Sequence, residues 1–342
     1  MPPNGGRNAV RLRPRSRLDD PRLLGPPHRT GHNPLVGHHV GVRINVIGYP
    51  SSAAAYCVGV EEAPRALREA GLLERLQREG HEVRDLGDLP VHLWRPDQRR
   101  PRAQNLEEEV GALHALADAV APLIAQRRDD ERLLVIGGSC TVAVGACAAM
   151  IRAGLEPQIL YVDRHLDLNT PESTDEGSLS WMGMAHALDL DGAATELAGA
   201  AGRRPMLRPR SLSYLGVNLE REVTDWERDR VEELGIRVTE QAAMVADPAA
   251  AARQARRALP DGPFLVHLDV DVLDFQDAPL AENVNGRNTG PTLGDLGSAL
   301  DEIWREPECL GLSIGQLVPA HAASDPTAIS RLLDAIAPPV DN

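Results

Sequence analysis

Three observations predict an α/β fold: a three-layer αβα sandwich with a mostly parallel sheet in the middle. Near-continuous apolar runs recur along the chain at RINVIG (43–48), LLVIGG (133–138), QILYVD (158–163), SLSYLGV (211–217), PFLVHLDV (263–270) and CLGLSIG (309–315). Runs without polar alternation suit strands buried on both faces, as inside a parallel sheet. Longer helical stretches separate most of these runs, which is the signature of strand–helix–strand units. Finally, 42% of the 342 residues are hydrophobic but only 3% aromatic, so the core must be built from Ala, Leu, Val and Ile.

The first 42 residues stand apart from this pattern. They carry seven Arg against two Asp, many Pro, Gly and His, and no periodicity. Such a segment buries too little apolar surface to offset its ordering entropy, which predicts a disordered basic extension over 1–42. It reads as an unselected extension or an upstream start codon, with a basic arm for an acidic partner as the functional alternative. Residues 43–342 read as one catalytic-size domain without a linker or repeat.

Within that domain each apolar run is a strand. The stretches at 61–80, 106–128, 226–235, 248–259 and 293–304 have helical composition and length. Leu133 to Ile151 contains no charge and approaches the ~20 residues of a membrane helix. Gly137-Gly138-Ser139-Cys140-Thr141 interrupts it, so strand, turn and Ala-rich helix is the expected reading, with no membrane partner.

Composition narrows the function. The net charge is −14, and every one of the 36 basic residues is Arg. An acidic chain poor in aromatics is a poor candidate for nucleic-acid binding, which needs basic patches and stacking platforms. Cys57, Cys140, Cys147 and Cys309 form no CxxC pair, and no secretory apolar segment opens the chain. Together these suggest a reducing, cytoplasmic setting. Cys147, in an Ala-rich helix, is expected in the core.

Three segments hold the chemistry, each starting where a strand ends: Gly137-Gly138-Ser139-Cys140, Asp163-Arg164-His165-Leu166-Asp167 and His267-Leu268-Asp269-Val270-Asp271. Open α/β sheets bind ligands at that edge. Buried carboxylates are costly unless paired or coordinated to metal. Asp163, Asp167, Asp269 and Asp271 with one imidazole form the hard donor set that a pair of Mn2+-like ions takes. Two such ions can activate water and polarise a substrate. Capping and turn residues are the bland alternative for a single DxD.

These segments, GGSC, DRHLD and HLDVDVLD, resemble in order and spacing the GGDH, DAHxD and SxDxDxxDP motifs of the ureohydrolases, the arginases, agmatinases and their relatives. The similarity spans about residues 43–340. It implies an arginase-like fold and two divalent metal ions. One would be held by Cys140, Asp163, Asp167 and Asp269, the other by Asp163, His165, Asp269 and Asp271. It also implies hydrolysis of a small guanidino substrate by a metal-activated hydroxide, with Asp167 carrying the proton to the leaving amine. Asn169, in Asn169-Thr170-Pro171, matches the residue that contacts a substrate α-carboxylate. A homo-oligomer is implied by the same resemblance.

Four positions depart from the pattern. Cys140 replaces a histidine ligand; its thiolate softens the site and admits Zn2+ or Fe2+ beside Mn2+, while a small buried residue is its structural alternative. Ser180 replaces the proton-shuttling histidine. His186 lies nearby at the wrong offset and is expected on a helix surface. Gln316 replaces the glutamate that pairs with guanidinium, exchanging a charge for an amide. The α-amino contacts align, across a gap, with Asp225 and Glu227, for which a solvated acidic helix start is an equal reading.

A cysteine at the first ligand position, with LYVDRHLDLNTPESTDEG, is most similar to the Nω-hydroxy-L-arginine hydrolases of secondary metabolism. A hydroxyguanidine is less basic and its leaving group needs less proton assistance, which suits the loss of the shuttle histidine. The leading expectation is therefore a binuclear-metal amidinohydrolase of a guanidino or N-hydroxyguanidino amino acid. A non-catalytic ligand-binding relative and a hydrolase of a neutral amide or formimino bond remain the alternatives.

Overall fold

The computed structural model describes residues 41–283 and 288–337. The expected extension over 1–42 lies, except for Gly41 and Val42, outside the described residues. Eight described strands form one sheet in the order β2-β1-β3-β8-β7-β4-β5-β6. They are β1 (Arg43–Gly48), β2 (Glu82–Asp88), β3 (Glu131–Ile136), β4 (Ile159–Val162), β5 (Leu212–Val217), β6 (Arg237–Glu240), β7 (Phe264–Asp269) and β8 (Cys309–Gly315). Every pairing between them is parallel.

The six apolar runs are the six inner strands, within one or two residues of their expected bounds. β2 and β6 were not expected as strands. Both are edge strands, and their charged residues EVRDLGD and RVTE leave them largely exposed, so they lack the apolar signal of a strand covered on both faces.

The helices are α1 (Ala63–Glu69), α2 (Leu72–Arg78), α3 (Leu106–Ala125), α4 (Val142–Arg152), α5 (Gly183–Leu188) and α6 (Thr195–Ala198). They continue with α7 (Asp225–Leu234), α8 (Gln241–Ala246), α9 (Pro248–Arg257), α10 (Leu293–Trp304) and α11 (Ala328–Ile336). The stretch 61–80, expected as one helix, is broken into α1 and α2 at Gly71, whose φ of 90° no helix interior accepts. The uncharged segment 133–151 is strand, turn and α4, as expected. Among the described residues no helix is long and apolar enough to cross a membrane.

The side-chain period of two in the strands divides the core into two layers. Ile44, Val46, Leu134, Ile136, Leu160 and Val162 pack with α1, α2, α9, α10 and α11. Ile47, Leu133, Val135, Ile159 and Tyr161 face the other way, against α3, α4 and α5. Ala-rich α4 is buried all round, from Val142 to Met150, which includes Cys147 as expected. Its small side chains let α3 approach closely; a Cβ at Gly145 would lie 2.6 Å from Leu116.

Candidate metal centre and active site

The four central strands β3, β8, β7 and β4 bring the three predicted segments to one edge. The turn after β3 is locked to the end of β8: Gly137 N donates to Ile314 O (3.1 Å) and Gln316 N donates to Gly138 O (2.9 Å). Gly137 and Gly138 both have positive φ, 96° and 83°. A Cβ on them would meet Pro64 at 2.5 Å and Tyr49 at 2.4 Å, so only glycine fits both the conformation and the space. This turn delivers Cys140 to the edge.

Asp163 leaves β4 with its N–H donating to Leu215 O (3.1 Å); Asp269 ends β7 opposite Gly315 of β8. One oxygen of each carboxylate is anchored by the backbone N–H two residues on. His165 N donates to Asp163 Oδ1 and Asp271 N donates to Asp269 Oδ1, both at 2.7 Å. These local bonds, which short acidic side chains make readily, fix the direction of the second oxygens. Asp269 Oδ2 accepts the Cys140 thiol at 2.8 Å. Asp163 Oδ2 is buried without a hydrogen-bond partner.

Donor atoms of Cys140, Asp163 and Asp167 lie within 4.8 Å of one another, and so do those of Asp163, His165 and Asp271. An orphaned buried carboxylate oxygen between two such clusters is an expensive arrangement that cations would relieve. The residues present therefore fit divalent cations, with Asp163 common to the two groups; Asp269, expected in both ligand sets, falls in neither group and instead accepts the Cys140 thiol.

Electrostatics agree. Burial, then Asp271, raises the Asp163 carboxyl to about 6. Burial, then Asp163, pushes Asp167 well above its usual range; burial, then Asp271, does the same to Asp269. Burial and Asp269 likewise raise the Cys140 thiol. For His165 burial acts downward but is outweighed by Asp271 and Asp163, and its pKa rises well above normal. Its Nδ1 lies 3.3 Å from Asp163 Oδ1 and 3.2 Å from Asp271 Oδ2.

Behind these groups lies a supporting layer. The Tyr161 hydroxyl donates to Asp167 Oδ2, and Met184 N and Ala185 N donate to Asp167 O at 3.1 Å. Arg164 is 1% exposed. Its Nη1 donates to Asp271 O (3.1 Å) and its Nη2 to Glu222 Oε1 (3.4 Å), which ties the end of β7 to the loop after β5.

A family model described as the arginase family matches residues 42–332. The chain belongs to the arginase family. It is 32% identical over 204 residues to arginase-1 of Oryctolagus cuniculus, a match covering 57% of this chain and 59% of that protein. The chain thus spans about three-fifths of the length of the curated relatives it matches. The arginase structure from Bacillus caldovelox superposes with a TM-score of 0.72 at 25% identity, covering 86% of this chain and 98% of that one. A formimidoylglutamase from Bacillus subtilis shares the fold at 17% identity with a TM-score of 0.65, covering 87% of each chain.

The remaining predicted residues divide clearly. Ser180 and Gln316 line a cavity with His165, Asp167, Asp269 and Asp271. Ser180 Oγ is shared with Ser178 Oγ at 2.8 Å and its N–H donates to Ala54 O. Gln316 has φ 62°, and its Nε2 donates to Glu282 Oε2 at 3.1 Å.

Asn169, Asp225 and Glu227 are not among the residues lining that cavity. Asn169 is buried, with Oδ1 accepting from Ser173 Oγ (3.0 Å). Asp225 points to solvent beside Arg228. Glu227, the third residue of α7, closes a capping box: Oε2 accepts from Thr224 N, and Oε1 accepts from Leu168 N at 3.1 Å. The helix-start reading thus describes Asp225, while Glu227 is buried rather than solvated.

His186 corrects a further expectation. It is not on a helix surface but fully buried in α5, with Nδ1–H donating to Met182 O at 2.7 Å. α5 is apolar on every face, so its one polar ring has nowhere exposed to go. Sequence reasoning missed Tyr56, Trp181, Glu282 and Asn283, which also line the cavity. The one available signal was an acidic residue closing the apolar run Ala278-Pro279-Leu280-Ala281-Glu282.

Proposed function

We propose that this arginase-family chain is a metal-dependent amidinohydrolase that cleaves a small guanidino or N-hydroxyguanidino amino acid to an amine and urea or hydroxyurea. The observation that carries this reading is the pair of donor groups Cys140/Asp163/Asp167 and Asp163/His165/Asp271, which share Asp163 with its unpartnered Oδ2, beside a cavity lined by His165, Asp167, Asp269 and Asp271.

Cys140, Asp163, Asp167 and Asp269 would hold one divalent ion, and Asp163, His165, Asp269 and Asp271 the other. When bound, such ions supply an activated water and Lewis acidity toward the C–N carbon. Mn2+ suits the carboxylates, and the Cys140 sulfur admits Zn2+ or Fe2+.

The chain's own groups do the rest. Backbone N–H groups of His165 and Asp271 hold the Asp163 and Asp269 carboxylates in one orientation, so these groups are preorganised by the chain itself. Asp167 lines the cavity, where its carboxylate is placed to pass a proton to a leaving nitrogen. Tyr161 fixes which Asp167 oxygen is committed. Ser180, at the position of the family's shuttle histidine, offers the cavity a hydroxyl instead of an imidazole, a change that suits the less basic hydroxyguanidine and its better leaving group.

The test is reconstitution with Mn2+ followed by assay of urea and hydroxyurea from L-arginine and Nω-hydroxy-L-arginine. Turnover of at least one is expected, with preference for the hydroxylated substrate. Metal-loaded protein that turns over neither refutes the proposal.

A further inference from the structure

The loop after β7 contributes a carboxylate to the cavity that no motif marked. Glu282 N donates to Gln316 O (2.8 Å) and Val318 N donates to Leu280 O (2.8 Å), so residues 280–282 run antiparallel to the segment leaving β8. This pairing is long-range and backbone-driven, and it sets the Glu282 side chain beside Gln316. Oε2 accepts from Gln316 Nε2 (3.1 Å), while Oε1 accepts from Tyr56 N (3.2 Å) and the Cys57 thiol (3.8 Å).

The consequence falls on Gln316, which is 7% exposed. With Nε2 committed to Glu282, the amide's Oε1 is left buried without a partner. Glu282 and Gln316 line the same cavity as Asp167 and His165. An unpartnered amide oxygen beside a carboxylate is an acceptor-only surface. It is matched by a planar cation with several N–H donors, whereas a neutral amide would bring its own carbonyl against them. Burial, with the loss of water it brings, holds the Glu282 carboxyl above its usual range, and a cation beside it would offset that cost.

We infer that Glu282, held in place by its backbone pairing with Gln316 and by Tyr56 N, is the residue that selects a guanidinium or amidinium group over its neutral isostere in this cavity. The inference rests on the proposed small-molecule site but not on hydrolysis. Charge recognition has moved off the strand end, where the sequence shows only the amide of Gln316, onto the neighbouring loop, and this favours a cationic substrate over the neutral-amide alternative.

The experiment compares binding of L-arginine and of its neutral ureido isostere L-citrulline to Mn2+-loaded wild type, Glu282→Gln and Gln316→Met, by titration calorimetry. Urea release is measured in parallel. Wild type is expected to prefer arginine, and Glu282→Gln to lose that preference by about 10- to 100-fold with citrulline affinity unchanged, the range of a charged hydrogen bond. Gln316→Met, which keeps the carboxylate, should retain the preference. An unaltered arginine preference in Glu282→Gln, loss of it only in Gln316→Met, or equal binding of both ligands by wild type overturns the inference. Arginine-selective binding that depends on Glu282, with no urea released from arginine and no hydroxyurea from Nω-hydroxy-L-arginine, sustains it while refuting hydrolysis. Turnover of arginine with an unchanged KM in Glu282→Gln does the reverse.

Discussion

Glu109 is the buried charge that braces the turn carrying Cys140, and a double-mutant cycle can measure it. The side chain, on α3, is 0% exposed. It accepts from the Tyr49 hydroxyl (2.8 Å), Ser51 Oγ (3.1 Å) and Thr141 Oγ1 (2.5 Å). Thr141 follows Cys140 directly, and Tyr49 packs against Gly138.

In Glu109→Ala the Thr141 hydroxyl can still turn to Ser139 Oγ, 2.6 Å away, but Tyr49 and Ser51 lose their partner. Each buried hydroxyl left unpaired costs about 1–3 kcal/mol. Relief of the carboxylate's own burial, which raises its pKa, offsets part of this. A net loss of about 2–4 kcal/mol is expected, of which about 1–2 kcal/mol is coupling to Tyr49 in the cycle with Tyr49→Phe. Urea unfolding of metal-free protein at pH 7 gives the energies; metal analysis of the same proteins should show occupancy falling in Glu109→Ala. Additivity of the two substitutions within about 0.5 kcal/mol, or a single-mutant loss below about 1 kcal/mol, would refute the bracing role.

Other outcomes follow from the same geometry. Cys140→Ser should lower the occupancy of one metal and leave the second near wild type, as read by metal analysis after gel filtration; undiminished stoichiometry would mean Cys140 is a packing residue. Arg164→Met should weaken metal binding by about 10- to 100-fold in chelator competition, the usual effect of removing a group that orients a ligand, because Asp271 O and Glu222 lose their common donor. His186 is neutral in the fold, its pKa lowered by burial to about 4 against a reference of 6.5. A depressed histidine contributes stability that is present above about 6.5 and lost as pH falls toward 4. The loss should approach about 3 kcal/mol, and His186→Gln should flatten it in denaturant titrations between pH 7 and 4; an unchanged slope would contradict a buried neutral ring.

Much of the molecule was legible before its structure. Apolar runs located the six inner strands because burial on both faces leaves an unbroken local signal, and Gly137-Gly138 marked the turn because only glycine meets its positive φ. Asp163, His165, Asp167, Asp269 and Asp271 were readable for a related reason: each follows its strand at once, so chain order alone puts them on one edge of a parallel sheet.

What tertiary structure decided lies in contacts between distant segments. β2 and β6 are strands because a neighbour's backbone pairs with them, not because of their own charged residues. Glu227 looked like a substrate contact and is spent on Thr224 and Leu168 N; His186 looked superficial and is enclosed by an all-apolar helix. Glu282 entered the cavity only through the bridge between Ala281 and Leu317, a pairing that leaves no periodicity in the sequence. Local pattern determines which faces are buried, whereas the partner of a polar side chain depends on which remote backbone folds against it.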